Sequence, residues 1–79
     1  MVSVAVIGLG FVGKELAKHF YNHGYLVIGV DTDEKALERL RMELQPQINQ
    51  STWNGGILAL QADYEGLERE PNILVCLPT

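Results

Sequence analysis

The chain has 79 residues, 47% apolar and 20% charged, with six Lys and Arg against ten Asp and Glu for a net charge of −4. That length is expected to hold one small core and excludes a two-domain enzyme with its own substrate lobe, while the apolar share excludes a disordered chain. No basic run is present to neutralise a phosphate backbone, and no apolar stretch approaches the ~20 residues of a bilayer span, so nucleic acid and membrane are set aside as partners.

Met1, Val2 and Ser3 run straight into an apolar block, without the basic start and cleavage site of a secretory leader. Ser3-Val-Ala-Val-Ile7 is a β-branched run ending at glycine, the pattern of a strand buried on both faces and hence of a parallel sheet. From 11 to 23 the period changes: Val12, Leu16 and Phe20 recur every four positions with Lys14, Lys18 and Asn22 elsewhere, which predicts an amphipathic helix closed by a left-handed Gly24. Leu26-Val-Ile-Gly-Val30 is the second strand. Asp33 can cap a second helix with Ala36, Leu37, Leu40 and Leu44 as its buried stripe, and Pro46 is expected to end it. The polar stretch Gln45 to Gly56 reads as a loop, Ile57 to Ala62 as a third strand, Asp63 to Glu70 as a helical turn or short helix, and Ile73 to Leu77 as a fourth strand.

Strand, helix, strand, helix, strand describes two βαβ units, and right-handed crossovers put both helices on one face of a sheet ordered 3-2-1-4. The fold class is therefore α/β, a Rossmann-like half. The connector from Asp63 to Asn72 would give a helix only ~12 Å long, too short to cover four strands ~4.8 Å apart. Val4, Val30 and Val75 are accordingly candidates for exposure, and self-association through an uncovered sheet face is expected.

Gly8-Leu9-Gly10-Phe11-Val12-Gly13 is a G-x-G-x-x-G that follows a buried strand and opens a helix, and Asp31 ends the second strand 18 positions after Gly13. Gly8 permits the tight turn, Gly10 lets the backbone approach a pyrophosphate, and Gly13 lets the helix lie close to the strand. A diphosphate would sit on the unpaired N–H groups of the helix start. Asp31 would accept hydrogen bonds from the adenosine-ribose hydroxyls and repel a 2′-phosphate, which favours NAD over NADP. The purely structural alternative is a tight strand-to-helix turn with Asp31 and Asp33 as a capping cluster.

Val4-Ala-Val-Ile-Gly-Leu-Gly-Phe-Val-Gly13, His23-Gly-Tyr-Leu-Val-Ile-Gly-Val-Asp-Thr-Asp33, Asp63-Tyr64 and Val75-Cys-Leu-Pro-Thr79 together resemble the amino-terminal part of the UDP-glucose/GDP-mannose dehydrogenases. The resemblance spans nearly the whole chain and implies that residues 1–79 form a single, incomplete NAD-binding Rossmann domain, truncated or a free-standing remnant. In that family the C6 alcohol of a nucleotide sugar is oxidised to a carboxylate in two NAD-dependent hydride transfers through a cysteine thiohemiacetal. It further implies that Gly8, Gly10, Phe11, Val12 and Gly13 line the diphosphate turn, that Asp31 holds the adenosine ribose and that Thr79 contacts the cofactor beyond the fourth strand. The family's catalytic cysteine, lysine and asparagine lie far downstream, so no catalytic residue is assigned and the chain alone is not expected to turn over.

Two positions depart from the family pattern: Ala36 stands where a lysine is common, leaving Lys35 as a solvated helix lysine, and Gln47 to Asn54 replaces a Glu-Pro-Gly-like segment. Cys76, the lone cysteine, reads as strand packing and points to a reducing, cytoplasmic compartment. His19 and His23 lie four apart but imply no third ligand, so no metal is assigned. Trp53 stays open between contact residue and loop anchor. Two rival functions remain: a nucleotide-sensing module like the RCK domains of potassium channels and transporters, which usually carry an arginine after G-x-G where this chain has Phe11, and a structural or dimerisation module that binds nothing.

Overall fold

The β-branched run that opens the chain becomes an inner strand, because both of its faces find apolar cover. In the computed structural model, which describes residues 1–48 and 55–76, this strand is β1 (Ser3–Ile7). It pairs in parallel with β2 (Leu26–Val30) on one side and β4 (Ile73–Val75) on the other, and β2 pairs with β3 (Ile57–Gln61). The order is β3-β2-β1-β4, the α/β Rossmann-like arrangement expected.

Helices α1 (Phe11–Asn22) and α2 (Glu34–Ile48) lie on the same face. Val4 and Val6 of β1 and Val27 of β2 meet Ala17 and Tyr21 of α1 and Ala36, Leu40 and Leu44 of α2 in the main core. Gly24 closes α1 at φ 83°, and the Asp33 carboxylate caps α2 by accepting the Lys35 N–H at 3.0 Å, both as read from the sequence. Across the helix pair, Glu43 of α2 bridges Lys14 at 2.9 Å and Lys18 at 3.1 Å. These two lysines are thus held between the helices and do not simply face water.

Several expectations are corrected. Pro46 does not end α2, which runs on to Ile48: proline's fixed φ near −65° is itself helical, so near a helix end it forfeits one N–H bond without forcing the chain out of register. The buried stripe of α1 is Gly13, Ala17 and Tyr21, one position on from Val12, Leu16 and Phe20, and Val12 is exposed. The two smallest residues must face β1 for the helix to approach it. Leu37 is only half-buried on α2.

The connector from β3 to β4 forms no α-helix; its helical part is a single 3-10 turn at Leu67–Arg69. Leu67 is nevertheless buried and covers Ala5 and Val30 on the face opposite the helices. Val30 is therefore buried, and so is Val4, which faces the helices; neither is exposed as expected. Val75 is, at 60%, together with Ile57 and Ile73 on the sheet's flanking strands. The connector re-enters the sheet on polar anchors: the Ser3 hydroxyl donates to the Glu70 carboxylate, and the Asn72 amide donates to the Ser3 carbonyl at 2.9 Å. The expected loop from Gln45 to Gly56 begins inside α2, and residues 49–54, with Trp53, lie outside the described residues, as do Leu77 and Thr79.

Candidate functional site

Between β1 and α1 the chain reverses over three residues. The Gly8 N–H still donates to Val30 at 2.8 Å as though the strand continued, and its φ of 91° then turns the backbone, a value L side chains rarely adopt. Gly10 stands at the N-cap of α1 and offers no side chain to the helix start. The first helical N–H to find an acceptor along the chain is that of Lys14, on the Gly10 carbonyl at 2.8 Å. The N–H groups of Phe11, Val12 and Gly13 are left without an intrahelical acceptor, at the positive end of the helix dipole. The first turn carries no acidic side chain to satisfy it.

Gly13 lies beneath this turn, where a Cβ would stand 1.7 Å from the Gly8 carbonyl oxygen. Around Gly10 a Cβ would meet nothing within 4 Å, so the approach to the backbone is open. Phe11 and Val12 are exposed. Cys76, at the end of β4, is half-buried and packs against the main core beside Gly13, the structural place read for it.

Asp31, at the end of β2, closes the arrangement. One carboxylate oxygen accepts the Leu9 N–H within the glycine turn at 2.8 Å, and the other accepts the Asp33 N–H at 2.9 Å. The acid therefore faces the turn and braces it. A carboxylate has about four lone-pair sites, so two backbone donors leave capacity for ribose hydroxyls. Gly8, Gly10 and Asp31 open together into a cleft of about 360 Å³, whose other walls come from Thr32, Asp33, Ala36 and Arg39 on one side and Ala62 and Tyr64 on the other.

The structure thus gathers Gly8, Gly10 and Asp31 in one cleft, while Phe11, Val12 and Gly13, the start of α1, follow Gly10 in the chain and do not line it. His19 and His23 are occupied with each other: their rings lie 4.3 Å apart, and His23 Nδ1 is 2.7 Å from the His19 carbonyl. Among the described residues no cluster of three His, Cys, Asp or Glu forms a metal site. Arg39 was not singled out from the sequence, and Tyr64 entered only in the Asp63-Tyr64 block of the resemblance, with no role assigned. Arg39 follows Ala36 by one helical turn on the same edge, a spacing that was available to find it; Tyr64 carried no periodic signal.

The family model for the NAD-binding domain of 3-hydroxyacyl-CoA dehydrogenases matches residues 3–66, the span that contains the glycine turn, the start of α1 and Asp31. The chain belongs to that family. NAD is its cofactor, and the site fits it: an open backbone approach with unpaired N–H groups suits a diphosphate, and a carboxylate with spare acceptor capacity suits a ribose.

The chain is also similar to UDP-N-acetyl-D-mannosamine dehydrogenases. It is 29% identical to the protein of Methanococcus maripaludis strain C7 over 80 residues, covering 96% of this chain and 19% of the relative. It is 47% identical to that of Methanococcus vannielii over 38 residues, covering 48% of this chain and 9% of the relative. The chain thus spans about a fifth of the length of the Methanococcus maripaludis relative. The resemblance to nucleotide-sugar dehydrogenases is borne out by these relatives, and the longer match extends beyond Gly66, where the family model stops. No solved structure gives a significant match.

Proposed function

We propose that the chain is the NAD-holding part of a nucleotide-sugar dehydrogenase, gripping the adenosine diphosphate half of the cofactor, and that oxidation of a sugar C6 alcohol belongs to the larger assembly of such an enzyme. NAD supplies the hydride acceptor when bound. The chain's own residues hold it: Gly8 and Gly13 set the turn, Gly10 gives the diphosphate access to the N–H groups of Phe11, Val12 and Gly13, and Asp31 orients the ribose. Thr79, outside the described residues, would touch the cofactor beyond β4. The observation that supports this reading is the Asp31 carboxylate 2.8 Å from the Leu9 N–H, a negative side chain beside the turn that leads into the positive end of α1.

Calorimetric titration with NAD, ADP-ribose, AMP and ATP tests it. NAD and ADP-ribose should bind, and Asp31→Asn should weaken them about tenfold by removing charge from hydrogen bonds worth roughly 1.5–3 kcal/mol. A preference for AMP or ATP would favour a nucleotide sensor, and no heat with any of the four would leave a structural module.

The partner and compartment follow the same reading. Ile57, Ile73 and Val75, 47%, 42% and 60% exposed on the face opposite the helices, support self-association through that face. A reducing, cytoplasmic setting suits the lone Cys76 and an NAD-linked reaction.

A further inference from the structure

We propose that His19 and His23, at the opposite end of α1 from the glycine turn, form a two-histidine chelate for a borderline transition-metal ion, Cu²⁺ in preference to Ni²⁺ and Zn²⁺. Their spacing alone implied no third ligand; the fold adds the state of the rings. The backbone N–H of His23 bypasses the His19 carbonyl and donates to that of Phe20 at 3.0 Å, while His23 Nδ1 lies 2.7 Å from the His19 carbonyl. A carbonyl oxygen can only accept, so the proton of the neutral His23 ring sits on Nδ1 and Nε2 carries the lone pair. Metal-bound imidazoles are held in this way, with the second nitrogen donating to a carbonyl that fixes the ring.

The second ring stands beside the first. The His19 and His23 ring centres are 4.3 Å apart with planes tilted by 41°, and Phe20 meets the His19 ring edge-on with centres 5.8 Å apart. Two imidazoles bound to one ion at ~2.0 Å and at right angles have ring centres about 4.4 Å apart, so the pair needs little movement to share it. Apart from His23 Nδ1, the ring nitrogens have no hydrogen-bond or ion-pair partner among the described residues. The pair stands at the negative end of the α1 dipole on a chain of net charge −4, which favours a cation. Glu15, one turn before His19, is drawn to Lys18 at 3.0 Å and does not complete the shell. Two nitrogen donors with water in the other positions make an exchangeable surface site for a borderline metal, and suit poorly the oxygen-seeking Mg²⁺ or Ca²⁺. An ion held there would tie the last turn of α1 to the residue that precedes Gly24.

The test is calorimetric titration of the full chain with the chlorides of Cu²⁺, Ni²⁺, Zn²⁺ and Mg²⁺, with the imidazole NMR lines followed under substoichiometric Cu²⁺. One Cu²⁺ should bind per chain, Ni²⁺ and Zn²⁺ more weakly and Mg²⁺ not at all, and the lines of both histidines should broaden together. His19→Gln and His23→Gln should each weaken Cu²⁺ about a hundredfold, the scale gained by linking two contacts. The double variant His19→Gln/Asn22→His keeps two histidines at adjacent positions, which do not face each other on a helix, and should not restore binding. Cys76→Ser should bind Cu²⁺ like the parent. Titrations with ADP-ribose should be the same in both single histidine variants as in the parent, so this site and the NAD reading stand or fall separately. Single variants that bind Cu²⁺ like the parent, loss of binding in Cys76→Ser, recovery in the double variant, or equal heat from Mg²⁺ would each overturn the chelate.

Discussion

A Cβ on Gly13 would stand 1.7 Å from the Gly8 carbonyl oxygen, whereas one on Gly10 would meet nothing within 4 Å, and Gly10 has an ordinary φ of −67°. Two glycines of one motif therefore serve different ends. Gly13→Ala should force α1 off β1 and lower stability by about 2–4 kcal/mol, the range of severe overpacking. Gly10→Ala should unfold at the parent's urea midpoint yet lose NAD affinity, because its methyl group would occupy the approach proposed for the diphosphate. Equal losses of stability in the two variants would overturn this division of roles. The motif was legible in the sequence through its spacing to Asp31, but the Leu9 N–H on the Asp31 carboxylate spans 22 positions and came only with the fold.

The two helices are joined at one side chain. Hydrogen bonds from Lys14 and then Lys18 hold the Glu43 carboxyl below the ordinary glutamate range. A carboxyl depressed in the folded state contributes stability that is present above its unfolded pKa and is lost as pH falls through the folded value. The Glu43 side chain is about a third exposed, so the contribution should be at most about 1 kcal/mol and should fade with salt. Urea midpoints of the parent and Glu43→Gln should differ slightly at neutral pH and converge in strong acid or high salt; a gap that persists in acid would contradict a stabilising role for the Glu43 ion pairs. The period of both helices was legible before folding, since it follows from side-chain spacing alone. The face each one buries was displaced by one residue in α1, where the close approach of Gly13 and Ala17 to the sheet outweighed the larger Val12 and Phe20.

At the scale of the whole molecule, the sheet has one face roofed by two helices and another covered chiefly by Leu67. Ile73 and Val75 on β4 and Ile57 on β3 remain exposed on the two outer strands, whose outer edges pair with no other strand among the described residues, an arrangement that favours pairing with another chain. Sedimentation should show mass rising with concentration, and Val75→Lys should suppress the rise without unfolding the chain, since Val75 is 60% exposed. A single monomer species at high micromolar concentration would refute it. The sequence by itself determined the strand order, the helix periods, the turn at Gly8, the caps at Gly24 and Asp33 and the NAD motif, because each is written in residues close together along the chain or follows from the handedness of its connections. Only the tertiary structure decided that Val4 and Val30 are buried, that one 3-10 turn suffices to seat Leu67, that Glu43 joins two helices, and that Arg39 and Tyr64 share a cleft with Asp31. Those facts depend on how distant segments pack in space, and local patterning carries no record of that.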